Sequence, residues 1–423
     1  MKYVFLMACL LVFVNVKATT VYEISDKEKV SYSIKIAQKD SLSDLMEKAW
    51  NISWTRFYSE KTNLFYDYLS SYEKGTELGH LPDAKEVKMQ KPNLMGYDTG
   101  MEDCMISAGT MLSMIVDKYR VTQDSELRKY AQKVFQGIKR CATAPGDSGF
   151  LARCVCIDDA KSIYITSSRD QYTHAVHGLW YYYHSPLCDP GTRSEIAVIL
   201  ASFADRMKRN VTKENNYDFL KADGTRDARG ISKMWQVQAH EAARLPMIYA
   251  AAWDVTGKLE YYDLYRFYIN EAIAQSSQIT DWKQPTYSLL QMECSLELLA
   301  SLETNPNLRK KIDSVMSMVA IETINRSVRA DDNAKKLDLT MLGSDWRTGE
   351  GLNSKGSYRK SWYCIRESGE AALAALMSNR PFPENQKYLL EQAILRLNYD
   401  KVSSNGIFYL QAAYWKARER GFQ

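Results

Sequence analysis

The chain of 423 residues is long enough for a large hydrophobic core, and its charges nearly balance. The formal net charge is +4 and falls to +2 without Lys2 and Lys17 of a predicted signal peptide, which argues against a nucleic-acid partner. With 28 tyrosines and nine tryptophans, the composition suits a protein that stacks on sugar rings, and it also suits an aromatic-rich helical core.

The first 18 residues have the features of a signal peptide. Lys2 precedes an apolar stretch from Tyr3 to Val14, and Val16–Ala18 has the small residues of a cleavage site. The stretch is too short for a membrane span, and no later run is apolar enough. We therefore expect an exported protein, secreted or periplasmic, without a membrane span.

Helical periodicity dominates from Leu42 onward, after an expected N-terminal extended arm at residues 19–40. It predicts twelve helices, at 42–59, 101–121, 124–140, 168–184, 191–209, 232–254, 258–276, 284–302, 307–327, 367–379, 384–398 and 405–419. A short hairpin is also expected between 150–156 and 163–166.

The loops between these helices alternate in length. Long loops precede the second, fourth, sixth and tenth helices, so an up-and-down arrangement gathers them at one end, where function concentrates. Even-numbered helices contain uncharged stretches such as Cys104–Val116, as inner helices should, whereas odd-numbered ones are more amphipathic. Residues 41–423 are therefore predicted to form an all-α (α/α)6 toroid of six helical hairpins, with an open α-solenoid as the competing architecture.

Three carboxylates, Asp98, Glu102 and Asp103, surround the start of the second helix. Asp98 or Thr99 is a candidate cap, with Glu102 as the capping-box partner. Capping explains Asp103 least, because this residue enters a buried helix, and we expect it to be functional. Glu102 is a candidate substrate ligand, and a cation bound by these carboxylates stays an open alternative.

The fourth helix carries a dense group of polar candidates. Ser168 is a favourable N-cap, which places Arg169 and Asp170 in the first turn. Asp170 and His174 are four residues apart and share a face. We expect Asp170 and His174 to be catalytic and Arg169 and Tyr172 to bind substrate. The alternative is a buried helix whose polar groups are satisfied.

Further candidates for sugar binding lie at the same predicted end. They are Trp235 and His240 near the sixth helix, and Trp346, Arg347 and Trp362 before the tenth. Aromatic and cationic side chains on a glycine-hinged loop suit a lid over an anionic sugar, with a solvated loop as the alternative.

Seven cysteines remain after Cys9 of the signal peptide, so at least one is free or pairs with another chain. Cys154 and Cys156 lie too close in sequence for an easy mutual disulfide. The chain has no CxxC pair, and its five histidines lack zinc-finger spacing. We expect no structural zinc and no cofactor.

Carboxyls at two adjacent helix mouths suit glycosidic bond hydrolysis, which needs a proton donor and a second carboxylate as base or nucleophile. Arg169 would then hold a substrate carboxylate. A polysaccharide lyase, the first alternative, would use Tyr172 with His174 or His240 as base and acid. A non-catalytic glycan-binding protein, the second, would need only the aromatic residues. A buried pair of aspartates is costly without partners, which favours an enzyme.

Residues 40–420 resemble the exported bacterial six-hairpin (α/α)6 glycosidase-like enzymes, especially unsaturated glucuronyl and rhamnogalacturonyl hydrolases and related β-glucuronidase-type families. The resemblance rests on Asp98–Asp103 and Ser168–Tyr172. It implies Asp170 as general acid/base and Asp103 as the second aspartate. The flanking residues and the histidines depart from the unsaturated-uronyl pattern. We therefore predict a glycoside hydrolase that acts on acidic, uronate-containing oligosaccharides.

Overall fold

A computed structural model describes residues 42–280, 282–348 and 356–422. The predicted signal peptide and N-terminal arm lie outside these residues. Within them, twelve long helices follow one another: α1 Leu42–Ile52, α2 Cys104–Thr122, α3 Leu127–Thr143, α4 Arg169–Tyr183, α5 Pro190–Asn210, α6 Arg244–Thr256, α7 Leu259–Ser276, α8 Thr286–Leu302, α9 Pro306–Ala334, α10 Ser357–Met377, α11 Glu384–Arg396 and α12 Gly406–Glu419. The loop between α1 and α2 holds strands β1 Tyr58–Ser59 and β2 Leu64–Phe65, which pair antiparallel, and a short helix, Ala84–Lys88.

The even-numbered helices form a closed inner ring. α2 packs against α4, the contacts continue through α6, α8, α10 and α12, and α12 packs back against α2. Odd-numbered helices lie outside this ring, as α7 does on α6 and α9 on α10. Because the last inner helix contacts the first, the predicted (α/α)6 toroid is confirmed and the open solenoid is excluded.

Burial follows the two layers. Every residue from Cys104 to Lys118 of α2 and from Gln171 to Tyr182 of α4 is buried, as expected for helices with neighbours on all sides. The outer helix α7 instead leaves the side chain of Phe267 76% exposed. None of the helices in the described residues has the length and apolarity needed to cross a membrane.

Helices α2 and α4 touch backbone to backbone at two glycines. A Cβ on Gly109 would lie 2.1 Å from the carbonyl oxygen of His174, and one on Gly178 would lie 2.6 Å from that of Gly109. No larger residue fits either place without moving a helix. This contact brings together the N-terminal ends of α2 and α4, where Asp103 and Asp170 lie.

A buried polar network joins four inner helices on their interior side. His177 Nε2 of α4 lies 2.7 Å from Glu297 Oε2 of α8, and Lys416 Nζ of α12 donates to Glu297 Oε1 at 2.9 Å. Lys416 also donates to the Tyr181 hydroxyl at 3.0 Å, and Tyr181 donates to Asp117 of α2 at 2.7 Å. A satisfied network of this kind specifies how the helices pack, so His177 and Tyr181 are structural.

Helix α6 starts later than the periodicity predicts, at Arg244 instead of near residue 232. Pro246 therefore falls in its first turn, where a missing N–H costs no helical hydrogen bond. The preceding residues continue the loop and end in a 3-10 turn, Ala239–Glu241.

The hairpin expected between 150–156 and 163–166 does not form in the described chain. Its backbone groups bond elsewhere: Ala152 N donates to Cys141 O at 3.0 Å, and Leu151 N donates to the Tyr172 hydroxyl at 2.9 Å. The segment is thus an irregular loop fastened to α3 and α4.

Candidate active site

A cavity of about 290 Å³ lies at the N-terminal ends of α2, α4 and α8. Long loops reach it from several hairpins, as their alternation predicted. Its lining combines three carboxyl and four guanidinium groups with aromatic, amide and aliphatic side chains: Glu102, Asp103, Asp170, Arg153, Arg229, Arg359, Arg366, Tyr97, Tyr287, Trp362, Tyr363, Gln291 and Ile106. Among the described residues, no three His, Cys, Asp or Glu side chains are grouped so as to hold a metal ion.

Asp103 lies in this cavity and bonds to side chains of two other inner helices, α10 and α4. Arg366 Nη1 of α10 donates to its Oδ2 at 2.9 Å, and Gln171 Nε2 of α4 donates to its Oδ1 at 3.3 Å. The side chain stays 17% exposed, so a bound molecule can reach it. Asp103 was predicted from its place before α2, whereas its partners are distant in sequence.

Asp67, which sequence reasoning missed, is fully buried behind this segment. Its Oδ2 accepts the backbone N–H groups of both Glu102 and Asp103 at 3.0 Å. Helix α2 begins at Cys104 with Asp103 at its N-cap position, so the cap expected from Asp98 or Thr99 does not form. Burial, followed by the charges of Asp103 and Glu102, raises the pKa of Asp67 well above its ordinary value.

Glu102 is the carboxyl of the cavity that is suited to hold a proton. The residue is 7% exposed, and its Oε2 accepts the backbone N–H of Asp98 at 2.7 Å. Burial, together with the negative charge of Asp103, raises the pKa of Glu102 to about 8. This carboxyl is therefore mostly protonated at neutral pH and can donate its proton.

Asp170 has the opposite electrostatic setting. Its Oδ1 accepts a hydrogen bond from Arg244 Nη1, and Arg244 Nη2 donates to Gln291 at 2.8 Å. Burial alone would raise the pKa of Asp170, but the positive charges of Arg244 and Arg169 outweigh it and lower that pKa. With its side chain 31% exposed, Asp170 presents an ionised carboxylate to the cavity.

Arg169 does not line the cavity, contrary to its predicted role as a substrate ligand. Its Nε donates to Glu241 Oε1 at 2.6 Å, and its Nη1 donates to the carbonyl oxygen of Gly230 at 2.7 Å. The guanidinium group thus fastens the loop before α6 to the start of α4. Its expected binding to a substrate carboxylate has no support in this geometry.

Tyr172 is fully buried in the protein interior. Its hydroxyl donates to the carbonyl oxygen of Gly149 at 2.8 Å and accepts the Leu151 N–H at 2.9 Å. Burial raises the pKa of this phenol. Tyr172 positions a loop and is not placed to touch a substrate in the cavity.

The two candidate histidines also lie outside the cavity lining. His174 is 2% exposed, with Nδ1 3.3 Å from the Thr110 hydroxyl, and burial lowers its pKa to about 3. Burial also lowers the pKa of His240, to about 4. Both rings are neutral at pH 7, and the acid–base set expected for a lyase is not assembled here.

Of the predicted tryptophans, Trp362 lines the cavity and Trp235 does not. Trp362 Nε1 donates to the Asp67 carbonyl oxygen at 3.1 Å, and the Arg366 guanidinium lies 4.8 Å from its ring. Trp235 packs edge-on against Tyr268 of α7, with ring centroids 4.6 Å apart. Trp235 is therefore not positioned to contact a substrate in this cavity, contrary to its predicted role.

Trp346 and Arg347 are bound to a different loop. Trp346 Nε1 donates to the His80 carbonyl oxygen at 2.9 Å. Arg347 forms ion pairs with Glu86 at 2.6 Å and with Asp345 at 2.9 Å. Its guanidinium group is therefore not available to bind a sugar in the cavity. The lid predicted for this region includes residues 349–355, which lie outside the described residues.

A disulfide places Arg153, a second residue that sequence reasoning missed. It joins Cys104, the first residue of α2, to Cys154, with Cα atoms 5.4 Å apart. Beside it, Arg153 Nη1 donates to the Glu102 carbonyl oxygen at 2.9 Å. The five other described cysteines are free and buried, which confirms that an unpaired thiol remains. The sequence offered only the odd number of cysteines as a signal. That number does not show which two cysteines pair, and Cys104 and Cys154 are 50 residues apart.

Replacing both disulfide cysteines, Cys104→Ser with Cys154→Ser, is expected to lower the free energy of unfolding by roughly 2–4 kcal/mol, because the unfolded chain loses a cross-link across a long loop. Denaturant unfolding followed by circular dichroism measures this change. Reduction of the wild type by dithiothreitol should reproduce the loss and leave the double variant unchanged. Equal stability of wild type and double variant would show that the cross-link contributes nothing.

Comparison with known proteins finds distant structural likenesses. No protein-family model matches the chain, and no curated protein matches it. Among solved structures, a sugar epimerase from a ruminal bacterium is 12% identical with a TM-score of 0.49, over 88% of this chain and 98% of that one. Cellobiose 2-epimerase from Spirochaeta thermophila is 12% identical with a TM-score of 0.45, over 89% and 97%. An inactive variant of an α-1,6-mannanase from Salegentibacter is 13% identical with a TM-score of 0.37, over 80% and 100%. Likenesses of this size carry no argument about the chemistry of the cavity.

Proposed function

We propose that this protein is a glycoside hydrolase that cleaves acidic oligosaccharides, with Glu102 as proton donor and Asp170 as the ionised carboxylate. The observation that carries the proposal is the pair of opposite pKa shifts in one cavity: the pKa of Glu102 is raised to about 8 and that of Asp170 is lowered. Two carboxyls pushed apart in this way can divide the acid and base roles at one pH.

In the proposed reaction, Glu102 gives its proton to the glycosidic oxygen as the bond to the sugar carbon breaks. Asp170 either takes a proton from the attacking water or attacks the sugar carbon itself. Arg244 keeps Asp170 ionised and oriented through their hydrogen bond. The proton-donor role, which the sequence suggested for Asp170, thus passes to Glu102, since a carboxyl beside Arg244 holds its proton poorly.

Asp103, predicted as the second catalytic aspartate, is proposed to act on Glu102. Its negative charge helps to raise the pKa of Glu102. We therefore expect Asp103→Asn to move the alkaline limb of the kcat/KM profile to lower pH, because Glu102 then loses its proton more easily. The pH profile of the variant measures this shift, with thermal unfolding as a check on folding. An alkaline limb at the wild-type pH would contradict this role.

The two alternative functions have less support. The tyrosine and histidines assigned to β-elimination, Tyr172, His174 and His240, do not line the cavity. A non-catalytic glycan-binding protein has no need of carboxyls held in different protonation states, which are costly to bury. Support for an extracellular or periplasmic place comes from the Cys104–Cys154 disulfide, since such bonds persist in oxidising compartments.

The proposal is tested by incubating the protein with a panel of uronate-containing oligosaccharides and matched neutral ones. Reducing ends and ultraviolet absorbance from a newly formed C4–C5 double bond are followed together. Reducing ends without absorbance are expected for hydrolysis. A rise in both would identify a lyase, and sugar binding without turnover would favour the glycan-binding alternative.

A further inference from the structure

The positive charges of the cavity are not all matched by carboxylates. Arg366 pairs with Asp103 at 2.9 Å and with Glu370 at 2.9 Å. Arg153 and Arg229, which also line the cavity, form no ion pair within the described part of the chain. With Glu102 mostly protonated at neutral pH, these two arginines leave a local excess of positive charge.

Arg153 is a buried cation whose hydrogen bonding is incomplete. The residue is 3% exposed; its Nη1 donates to the Glu102 carbonyl oxygen at 2.9 Å, and its Nη2 lies 3.4 Å from the Tyr97 hydroxyl. Its Nε is buried and has no hydrogen-bond partner among the described residues. Burying a guanidinium group without a counter-ion is unfavourable, so this arrangement points to an anion supplied by a bound molecule.

Tyr97 holds the second arginine next to the first. The guanidinium carbon of Arg153 lies 5.0 Å from the centroid of the Tyr97 ring, and that of Arg229 lies 4.9 Å from it. Cation–π contacts of this length fix two arginines around one aromatic ring. Arg229 comes from the loop before α6 and is exposed, so a bound molecule can reach it.

We infer that Arg153, Tyr97 and Arg229 form a subsite for an anionic substituent of the sugar, a carboxylate or a sulfate ester. Guanidinium groups bind such oxyanions through two parallel hydrogen bonds. Because Arg153 also bonds to Glu102, the acidic sugar occupies a position beside the proton donor. The inference rests on the proposed function, which it makes more specific by assigning the recognition of the acidic sugar to residues other than Arg169 and Arg347.

The test is a calorimetric titration of the whole protein with sodium glucuronate, glucose 6-sulfate and glucose, none of which it can hydrolyse. The wild type is expected to bind at least one of the two anions about ten-fold more tightly than glucose. Arg229→Gln should remove this preference while glucose affinity stays within about two-fold. The conservative variant Arg229→Lys keeps the charge but cannot donate two parallel hydrogen bonds. Its preference for an anion should therefore lie between those of the wild type and Arg229→Gln.

A matched control and a second variant complete the design. Arg226→Gln removes an exposed arginine of the same loop that lines a different cavity, so it should retain the preference for an anion. Arg153→Gln should lose it. Tighter binding of glucuronate assigns a carboxylate and tighter binding of glucose 6-sulfate assigns a sulfate ester, and either result supports the subsite.

The inference and the proposed function fail in different ways. Equal affinity for anions and glucose in the wild type, unmeasurable anion binding, or an unchanged preference in Arg229→Gln would overturn the subsite. Anion preference that depends on Arg229, without turnover of any oligosaccharide, would keep the subsite and overturn the hydrolase. Turnover of acidic oligosaccharides with an unchanged KM in both Arg229→Gln and Arg153→Gln would keep the hydrolase and overturn the subsite.

Discussion

Asp170→Asn is expected to lower kcat/KM on an acidic oligosaccharide by about 10³–10⁴-fold, because the amide cannot act as base or nucleophile. The loss should appear in kcat more than in KM, since the side chain keeps its size and an oxygen that can accept the Arg244 hydrogen bond. Release of reducing ends at saturating and limiting substrate separates the two parameters.

The matched control for this variant is Asp263→Asn, which makes the same chemical change on the exposed face of α7. It should leave kcat and KM unchanged. Arg244 is 1% exposed and loses its charged partner in Asp170→Asn. Thermal unfolding of this variant checks that the protein still folds. A folded Asp170→Asn protein with full activity would remove Asp170 from the mechanism.

Glu102→Gln is expected to lower kcat/KM by about 10²–10³-fold on natural glycosidic bonds, because their leaving oxygen needs a proton. A substrate with a 2,4-dinitrophenyl leaving group needs no such help and should be cleaved at close to the wild-type rate. This contrast separates a proton donor from a residue that merely shapes the cavity. Equal losses on both substrates would contradict the assignment.

The pH profile gives a second test of Glu102. Its pKa of about 8 predicts that wild-type kcat/KM falls as the pH rises through about 8, because the carboxyl then loses the proton it must donate. On the acid side, activity should persist down to the ordinary range of an aspartate or below, because the pKa of Asp170 is lowered. Glu102→Gln should lose the alkaline limb, and a limb that survives in this variant would belong to another group.

The proposed catalytic arrangement depends on the helix packing below it. The backbone contact at Gly109 and Gly178 holds α2 close to α4, and therefore sets the spacing of the two helix ends that carry Asp103 and Asp170. Further along the same helices, Tyr181 of α4 donates to Asp117 of α2 at 2.7 Å, within the buried network around Lys416 and Glu297. The cavity thus lies at one end of a rigid ring, as catalytic geometry requires.

The sequence predicted the helices and the alternation of their loops, because helical periodicity and loop length are properties of neighbouring residues. It also placed Asp103 and Asp170 at adjacent helix ends, where both line the cavity. The sequence misplaced the start of α6. Pro246 fits in the first turn of a helix, but where that turn begins depends on where the preceding loop ends.

The tertiary structure was needed to show which carboxyl keeps a proton and which arginines line the cavity. Arg244 lies 74 residues from Asp170, and Arg366 lies 263 residues from Asp103, so no local pattern pairs them. Arg169 adjoins Asp170 in sequence, yet its side chain turns to Glu241. A pKa is set by burial and by charges within a few ångströms, and those neighbours come from chain segments that folding alone brings together.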